Sequence, residues 1–161
     1  MPRGPVYDNV LRRLAADDLA TLLRWLGQEV HRPVERLSES LPASGRFVDL
    51  LARTAPGRLV HVEFVTAVEP DLPYRMLEYR ARIMRLHLGE VVTQVVLVIG
   101  TGTMPEVLTN GDDLTARCHP VHVRDVDPAE LLATPALAPL APLARATDRG
   151  HRERLLREAL R

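Results

Sequence analysis

Two acids stand where a carboxylate is costly. Asp49 lies between Val48 and Leu50 in RFVDLLAR, and Glu63 lies among Val62, Phe64 and Val65 in RLVHVEFV. Both segments read as β-strands, and the Pro56-Gly57 between them is a turn signal, so the two predict a β-hairpin. Burying an ionised carboxylate costs several kcal/mol unless a cation or donors compensate it. Two on paired strands also repel each other, unless a divalent metal sits between them. Mg²⁺ suits such a pair, because it takes one or two carboxylates, keeps several waters and leaves room for a phosphate. On spacing alone, acids fourteen positions apart fit equally well with arginine partners or exposed strand ends.

Strand alternation sorts the neighbours. Leu59, His61, Glu63 and Val65 point one way, while Val60, Val62 and Phe64 point the other. His61 therefore shares the face of Glu63 and can line a site or simply pack. The next segment, DLPYRMLEYRARIMRLHL, predicts a helix from about Asp71 to Leu88, with Pro73 in its first turn and Gly89 as its stop. On a helical wheel Arg75, Glu78, Arg82 and Arg85 share a polar arc, with Tyr79 one turn on from Arg75. Met76, Leu77, Ile83, Met84, Leu86 and Leu88 form the expected packing face, with Arg80 and His87 intruding. That arc is either a solvated charged surface or the means by which Arg75 and Tyr79 approach the acids or a phosphate.

The remaining elements must hold these groups in place. Tyr7–Leu14 and Asp17–Trp25 read as helices, and His31–Leu41 as either a short helix or an edge strand. Val91–Ile99 is a β-branched run of the kind found in a sheet buried on both faces. His119–Arg124 predicts a further strand, followed by a short helix at AELLA, a Pro/Ala/Leu-rich segment at 134–144 and a final helix at 148–160. These elements imply one α/β domain over residues 1–161, a mixed sheet flanked by helices.

Composition narrows the chemistry. Of the 161 residues, 46% are hydrophobic, 26% charged and 4% aromatic, and the formal net charge is zero. That balance argues against a protein coated in positive charge, though it allows a local basic face. All 21 basic residues are Arg, which excludes any mechanism needing a lysine ammonium from this chain. One cysteine, Cys118, excludes an internal disulfide and a cysteine zinc cluster, and reads as a small core residue. The N-terminus lacks the apolar stretch of a secretory signal, and Val91–Ile99 is too short to span a membrane. The expectation is therefore a cytoplasmic protein. His119 and His122 fall on opposite faces of a strand and make a poor metal site, and Gly100-Thr101-Gly102 reads as a turn.

Taken in order, VYDNVLRRL with Asp8, FVDLL, LVHVEFV, DLPYRMLEY, VVTQVVLVIG and VHVRDVDPAELLA resemble the recombination-promoting nuclease (transposase) family of bacteria. That family belongs to the PD-(D/E)XK nuclease superfamily, and the resemblance covers about Tyr7 to Leu143. It implies a restriction-endonuclease-like core and a Mg²⁺- or Mn²⁺-dependent DNA endonuclease. Asp49 and Glu63 would ligate the metal together with the backbone carbonyl of Phe64. Metal-bound water would attack the phosphodiester in line, and the ion would stabilise the departing 3′-hydroxyl.

One position departs from the pattern. Two residues after Glu63 the family carries Lys or Gln, and here stands Val65, which can neither orient water nor stabilise developing charge. Arg75 is the first candidate substitute and Gln94 the second, with Asp8, His61 and Tyr79 as site-lining residues. The leading expectation is a DNA endonuclease. The alternative is a nuclease-fold protein without catalysis, acting as a DNA-binding or protein-interaction module. A small-molecule enzyme has little behind it, and a homo-oligomer is compatible with either reading.

Overall fold

Two long strands side by side set the architecture. In a computed structural model, which describes residues 16, 18–31, 33–37, 40–41, 46–47 and 49–159, β5 (Arg58–Ala67) and β6 (Val91–Thr101) pair in parallel at the centre of the sheet. Parallel neighbours need a crossover, and α2 (Leu72–Leu86) supplies it across one face. β4 (Leu50–Ala55) pairs antiparallel with β5 through the expected hairpin, with Gly57 at φ 74° in the turn. β1 (Glu35–Arg36) adds an antiparallel edge, and β9 (His119–His122) a parallel one, giving the order β1-β4-β5-β6-β9. The chain is thus α/β with a five-stranded mixed sheet between helices. Asp8 and the expected Tyr7–Leu14 helix lie outside the described residues, as does Asp17.

Alternation along the central strands builds a separate core on each face. Val60, Val62, Phe64, Val95 and Leu97 meet Leu22, Leu23 and Leu26 from α1 (Leu19–Trp25) and its end. The C-terminal third covers the same face. α3 (Pro128–Leu132) contributes Leu131, and a 3₁₀ segment over Ala138–Leu143 buries Leu140 and Ala141, so the proline-rich stretch is core-forming. α4 (Arg149–Ala159) closes over it, with Leu155 buried. On the other face, Leu59, Val65, Val92, Val96 and Val98 pack against Leu72, Met76, Tyr79 and Ile83 of α2. Each such side chain, fully buried, contributes about 1.5–3 kcal/mol. Asp18 caps α1 by accepting from the Thr21 amide at 3.1 Å, and Asp127 caps α3 through the Ala129 amide at 2.9 Å.

Several elements differ from the sequence expectation. The strand expected over Arg46–Arg53 is interrupted. β3 (Arg46–Phe47) pairs with β2 (Ser40–Leu41) in a separate ribbon, Asp49 sits in a bend, and β4 begins only at Leu50. Where the strand would have continued, the Asp49 side chain bonds β5 by accepting from the Phe64 amide. Within His31–Leu41 only Glu35–Arg36 and Ser40–Leu41 form short strands among the described residues, and His119–Arg124 ends as strand at His122 before a 3₁₀ turn over Val123–Asp125. A hairpin of β7 (Val107–Asn110) and β8 (Leu114–Arg117) was not anticipated; its short strands are at most half-buried, so no apolar run announces them.

Gly100 and Thr101 belong to β6 and not to a turn. Opposite them the β5–β6 register slips between Val65 and Ala67, so Gly100 crowds the Thr66 carbonyl and a Cβ there would lie 1.9 Å from that oxygen. The packing face of α2 is also rotated from the expected one. Tyr79 is buried with Met76 and Ile83, whereas Met84, Leu86 and Leu88 are exposed. Counting apolar residues misplaced the face, because the sheet beneath offers polar partners to Arg80 and Tyr79.

Candidate functional site

Glu63 is 1% exposed, in the middle of β5, and looks toward α2 together with His61. Asp49 comes next after the Leu50–Val62 pair, which sets it opposite Glu63 at the mouth of β4. Its Oδ2 accepts from the Phe64 amide at 2.9 Å, replacing the ladder bond a continued strand would have made. On an extended strand N–H and C=O of one residue point to the same side, so the Phe64 carbonyl also faces the Asp49 edge. The two acids and that carbonyl therefore lie along one stretch of β5.

Arg75 and His61 face the second acid. From the first turn of α2, Arg75 Nη2 reaches within 3.6 Å of Glu63 Oε1, and its Nη1 within 3.8 Å of Glu69 Oε2. His61 Nε2 lies 3.6 Å from Glu63 Oε2. Neither His61 Nε2 nor Arg75 Nε, both buried, has a hydrogen-bond partner within normal range among the described residues. Tyr79 packs edge-on against the imidazole, with ring centroids 5.6 Å apart at 79°.

The orientation of His61 is set from behind. The parallel register puts Gln94 beside His61, and its amide is tied at both ends. Gln94 Oε1 accepts from Arg80 Nε at 2.9 Å, and its Nε2 donates to the Met76 carbonyl at 2.8 Å. Those partners fix the amide, since a carbonyl can only accept and a guanidinium can only donate. Gln94 Nε2, 3.0 Å from His61 Nδ1, must therefore donate to it. The imidazole proton is thus left on Nε2, aimed at Glu63.

Arg80 is the residue that sequence reasoning undervalued. Besides Gln94 it donates to the carbonyls of Val92 at 3.0 Å and Arg117 at 2.6 Å, joining α2, β6 and β8. Burial pushes its guanidinium below the usual arginine range, though it stays charged. The readable signal was an arginine on the apolar face of an amphipathic helix, which demands several acceptors beneath it.

Val65 is buried in the apolar cluster with Leu72, Met76 and Val98, so the position two residues after the second acid carries no polar group. Gln94 is near Glu63 only through His61, and its own hydrogen-bonding groups are already engaged. Arg75 is the one proposed substitute that reaches the acid directly. Behind Gln94 a void of about 10 Å³, lined by Met76, Met104 and Cys118 among others, has room for one water at most. Burial holds the Cys118 thiol above its usual value, against the pull of Arg80, which removes it as a nucleophile. His119 and His122 align with Val95 and Val98, which belong to opposite cores, as alternation required.

A divalent ion needs carboxylate lone pairs turned toward one point. Here one Asp49 oxygen holds the Phe64 amide, and the two Glu63 oxygens face Arg75 and His61. Among the described residues no group of three His, Cys, Asp or Glu converges on a metal position. As arranged, the donor set does not fit a catalytic Mg²⁺.

Comparison of the chain with protein-family models, with curated proteins and with solved structures gave no match. Among the described residues no helix is long and apolar enough to cross a membrane.

Proposed function

We propose that this chain is a nuclease-fold binding protein that has lost hydrolysis, with DNA as the partner its arginine-only cations address. One observation carries the reading. The second acid of the pair is closed off from solvent and already has a guanidinium 3.6 Å away, where a hydrolase would keep room for a metal, a water and a phosphate. Val65 in the apolar core agrees with it, since nothing there could orient a nucleophile. The restriction-endonuclease-like ancestry rests on the resemblance, and the mixed sheet is compatible with it, with acids on antiparallel strands and α2 leading to a parallel β6.

A second reading, the Mg²⁺-dependent endonuclease, has one feature in its favour. Asp49 and the Phe64 carbonyl share an edge opposite Glu63, which is the ligand arrangement the resemblance implies. For that reading Arg75 must swing away from Glu63 when metal and DNA arrive.

Nicking of supercoiled plasmid with Mg²⁺ or Mn²⁺, run beside a DNA-binding titration, separates the two. The proposal expects no metal-dependent nicking and an affinity that falls steeply with salt, as phosphate contacts require. Nicking that disappears in a folded Asp49→Asn variant overturns the loss of hydrolysis. An affinity for DNA that is absent, or flat with salt, removes DNA as the partner.

A further inference from the structure

α4 and the turn before it gather the densest run of arginine in the chain. Arg145, Arg149, Arg152, Arg154 and Arg157 place five of the 21 basic residues in one short C-terminal stretch. All five are exposed, the Arg149 side chain to 94%. Leu155 is the one buried residue of the helix, so its arginines occupy the sides and the back.

Helix stability does not call for them there. α4 has no acid in its first turn and carries Arg149 and Arg152 at the end where the helix dipole disfavours a cation. Arg149 with Arg152, and Arg154 with Arg157, are three positions apart, so like charges stand side by side. The Arg149–Glu153 pair, at 3.3 Å, runs in the less favourable order along the helix. The other acids of the region are turned to different tasks. Asp148 Oδ1 caps the first turn by accepting from the His151 amide at 2.7 Å, and Glu158 lines the groove between α3 and α4. Among the described residues Arg152 and Arg157 have no ion-pair partner.

We infer that α4 is the element that grips the DNA backbone, with Arg149, Arg152, Arg154 and Arg157 on phosphate oxygens. The inference rests on the DNA reading above and adds the surface that reading lacked. A polyanion offsets the repulsion between neighbouring guanidinium groups, and arginines clustered along a helix are the electrostatic footprint of a phosphate-binding surface. Each planar fork also matches a phosphate with two parallel hydrogen bonds. Arg145 already faces Asp127 at 3.7 Å and is left out of the set. α4 closes over the sheet face opposite the one Glu63 looks toward, so the core separates Glu63 from bound phosphates. Eleven residues span about 16 Å, long enough to track several phosphates. A membrane surface fits less well, because Leu155 faces the core and Leu156 is the one large apolar side chain exposed on the helix among the described residues.

Fluorescence anisotropy of a labelled DNA duplex titrated with the full chain, over a salt series, tests this. Each phosphate contact contributes about −0.9 to the slope of log affinity against log salt, so this helix supplies about −3.6. Changing all four arginines to Gln should flatten the slope by about that amount and weaken binding more than about tenfold at about 50 mM salt. Arg152→Gln with Arg157→Gln should give about half the change in slope, and the four-fold change to Lys, which keeps the charge, should retain most of it. Arg58→Gln with Arg85→Gln, exposed arginines elsewhere, should leave slope and affinity as they are. The melting temperature of the four-fold Gln variant should not fall, because the replaced groups are exposed and repel one another. A wild type that binds DNA while the Gln variant matches it in affinity and slope overturns the inference and leaves the DNA reading standing. An equal loss in the Arg58 and Arg85 control overturns it too, by making the effect one of total charge. A wild type with no affinity for DNA removes the reading and the inference together. A loss confined to vesicles of anionic lipid gives the helix to a membrane and likewise overturns it.

Discussion

Replacing Arg75 by Met removes the guanidinium beside Glu63 and leaves the rest of α2 in place. At 3.6 Å and an effective dielectric constant of about 20, the pair attracts by roughly 4–5 kcal/mol. Desolvation of both groups offsets much of that in the intact protein, so the pair itself adds little net stability. Removing one partner is different, because Glu63 then stays buried with its compensating cation gone. Such losses run to about 3–5 kcal/mol, and the long contact places this one near about 3 kcal/mol. In a domain of this size that lowers the melting temperature by roughly 6–12 °C. Converting both partners, Glu63→Leu with Arg75→Met, should restore stability to within about 1 kcal/mol of wild type or exceed it. Urea denaturation of the four proteins in a double-mutant cycle reads the coupling directly. A loss under about 1 kcal/mol for Arg75→Met, or a double variant no better than the single, refutes the view of Glu63 as a carboxylate compensated by Arg75. Added Mg²⁺ that restores the single variant would refute it too, by placing a metal where the guanidinium had been.

Three further outcomes follow from the same structure. Arg80→Met should cost about 3 kcal/mol or more in urea titrations, since it strands acceptors on Gln94, Val92 and Arg117; Arg80→Lys should recover only part, lacking the planar fork. Gly100→Ala should lower stability by at least about 2 kcal/mol, because its Cβ would meet the Thr66 carbonyl and a backbone atom cannot step aside; Gly89→Ala, with nothing nearby, meets only the strain of φ 84°, and thermal melts compare the two. Glu90 receives Arg53 Nε at 3.0 Å and Nη2 at 2.8 Å, and that bidentate bond holds its carboxyl below the ordinary 4.5. A depressed folded value means the stabilisation is present above 4.5 and is lost as pH falls through the folded value. Glu90→Gln should accordingly narrow the stability gap to wild type in acid, and a gap constant from pH 7 to pH 3 would contradict this.

Much of the frame was legible from local pattern. Period-two alternation on β5 correctly put His61 and Glu63 on one face with Leu59 and Val65, because a strand leaves no other choice. Pro56-Gly57 and Gly89 marked real boundaries, each glycine holding a positive φ. What stayed hidden depends on distant partners. Nothing near Asp49 in the sequence says that its carboxylate takes the Phe64 amide and so breaks the expected strand. The register that sets Gln94 behind His61 comes from the β5–β6 pairing, which local sequence does not encode. Arg80 looked out of place among apolar neighbours and Tyr79 was set beside the polar arc, because Gln94 and His61 come to lie beneath them only through the sheet. Conversely, Met84 and Leu88 were assigned to the core by their chemistry, yet the helix turns Met84 outward and Leu88 is exposed in the turn beyond its end.

The central claim is that Glu63 is a buried carboxylate compensated by Arg75, and that the acid pair is not a metal centre. Diffraction from crystals soaked in Mn²⁺ at the manganese absorption edge tests it most directly. The account predicts no anomalous peak between Asp49 and Glu63, with Arg75 still beside the Glu63 carboxylate. A peak bridging both acids and the Phe64 carbonyl, with Arg75 displaced, would contradict it.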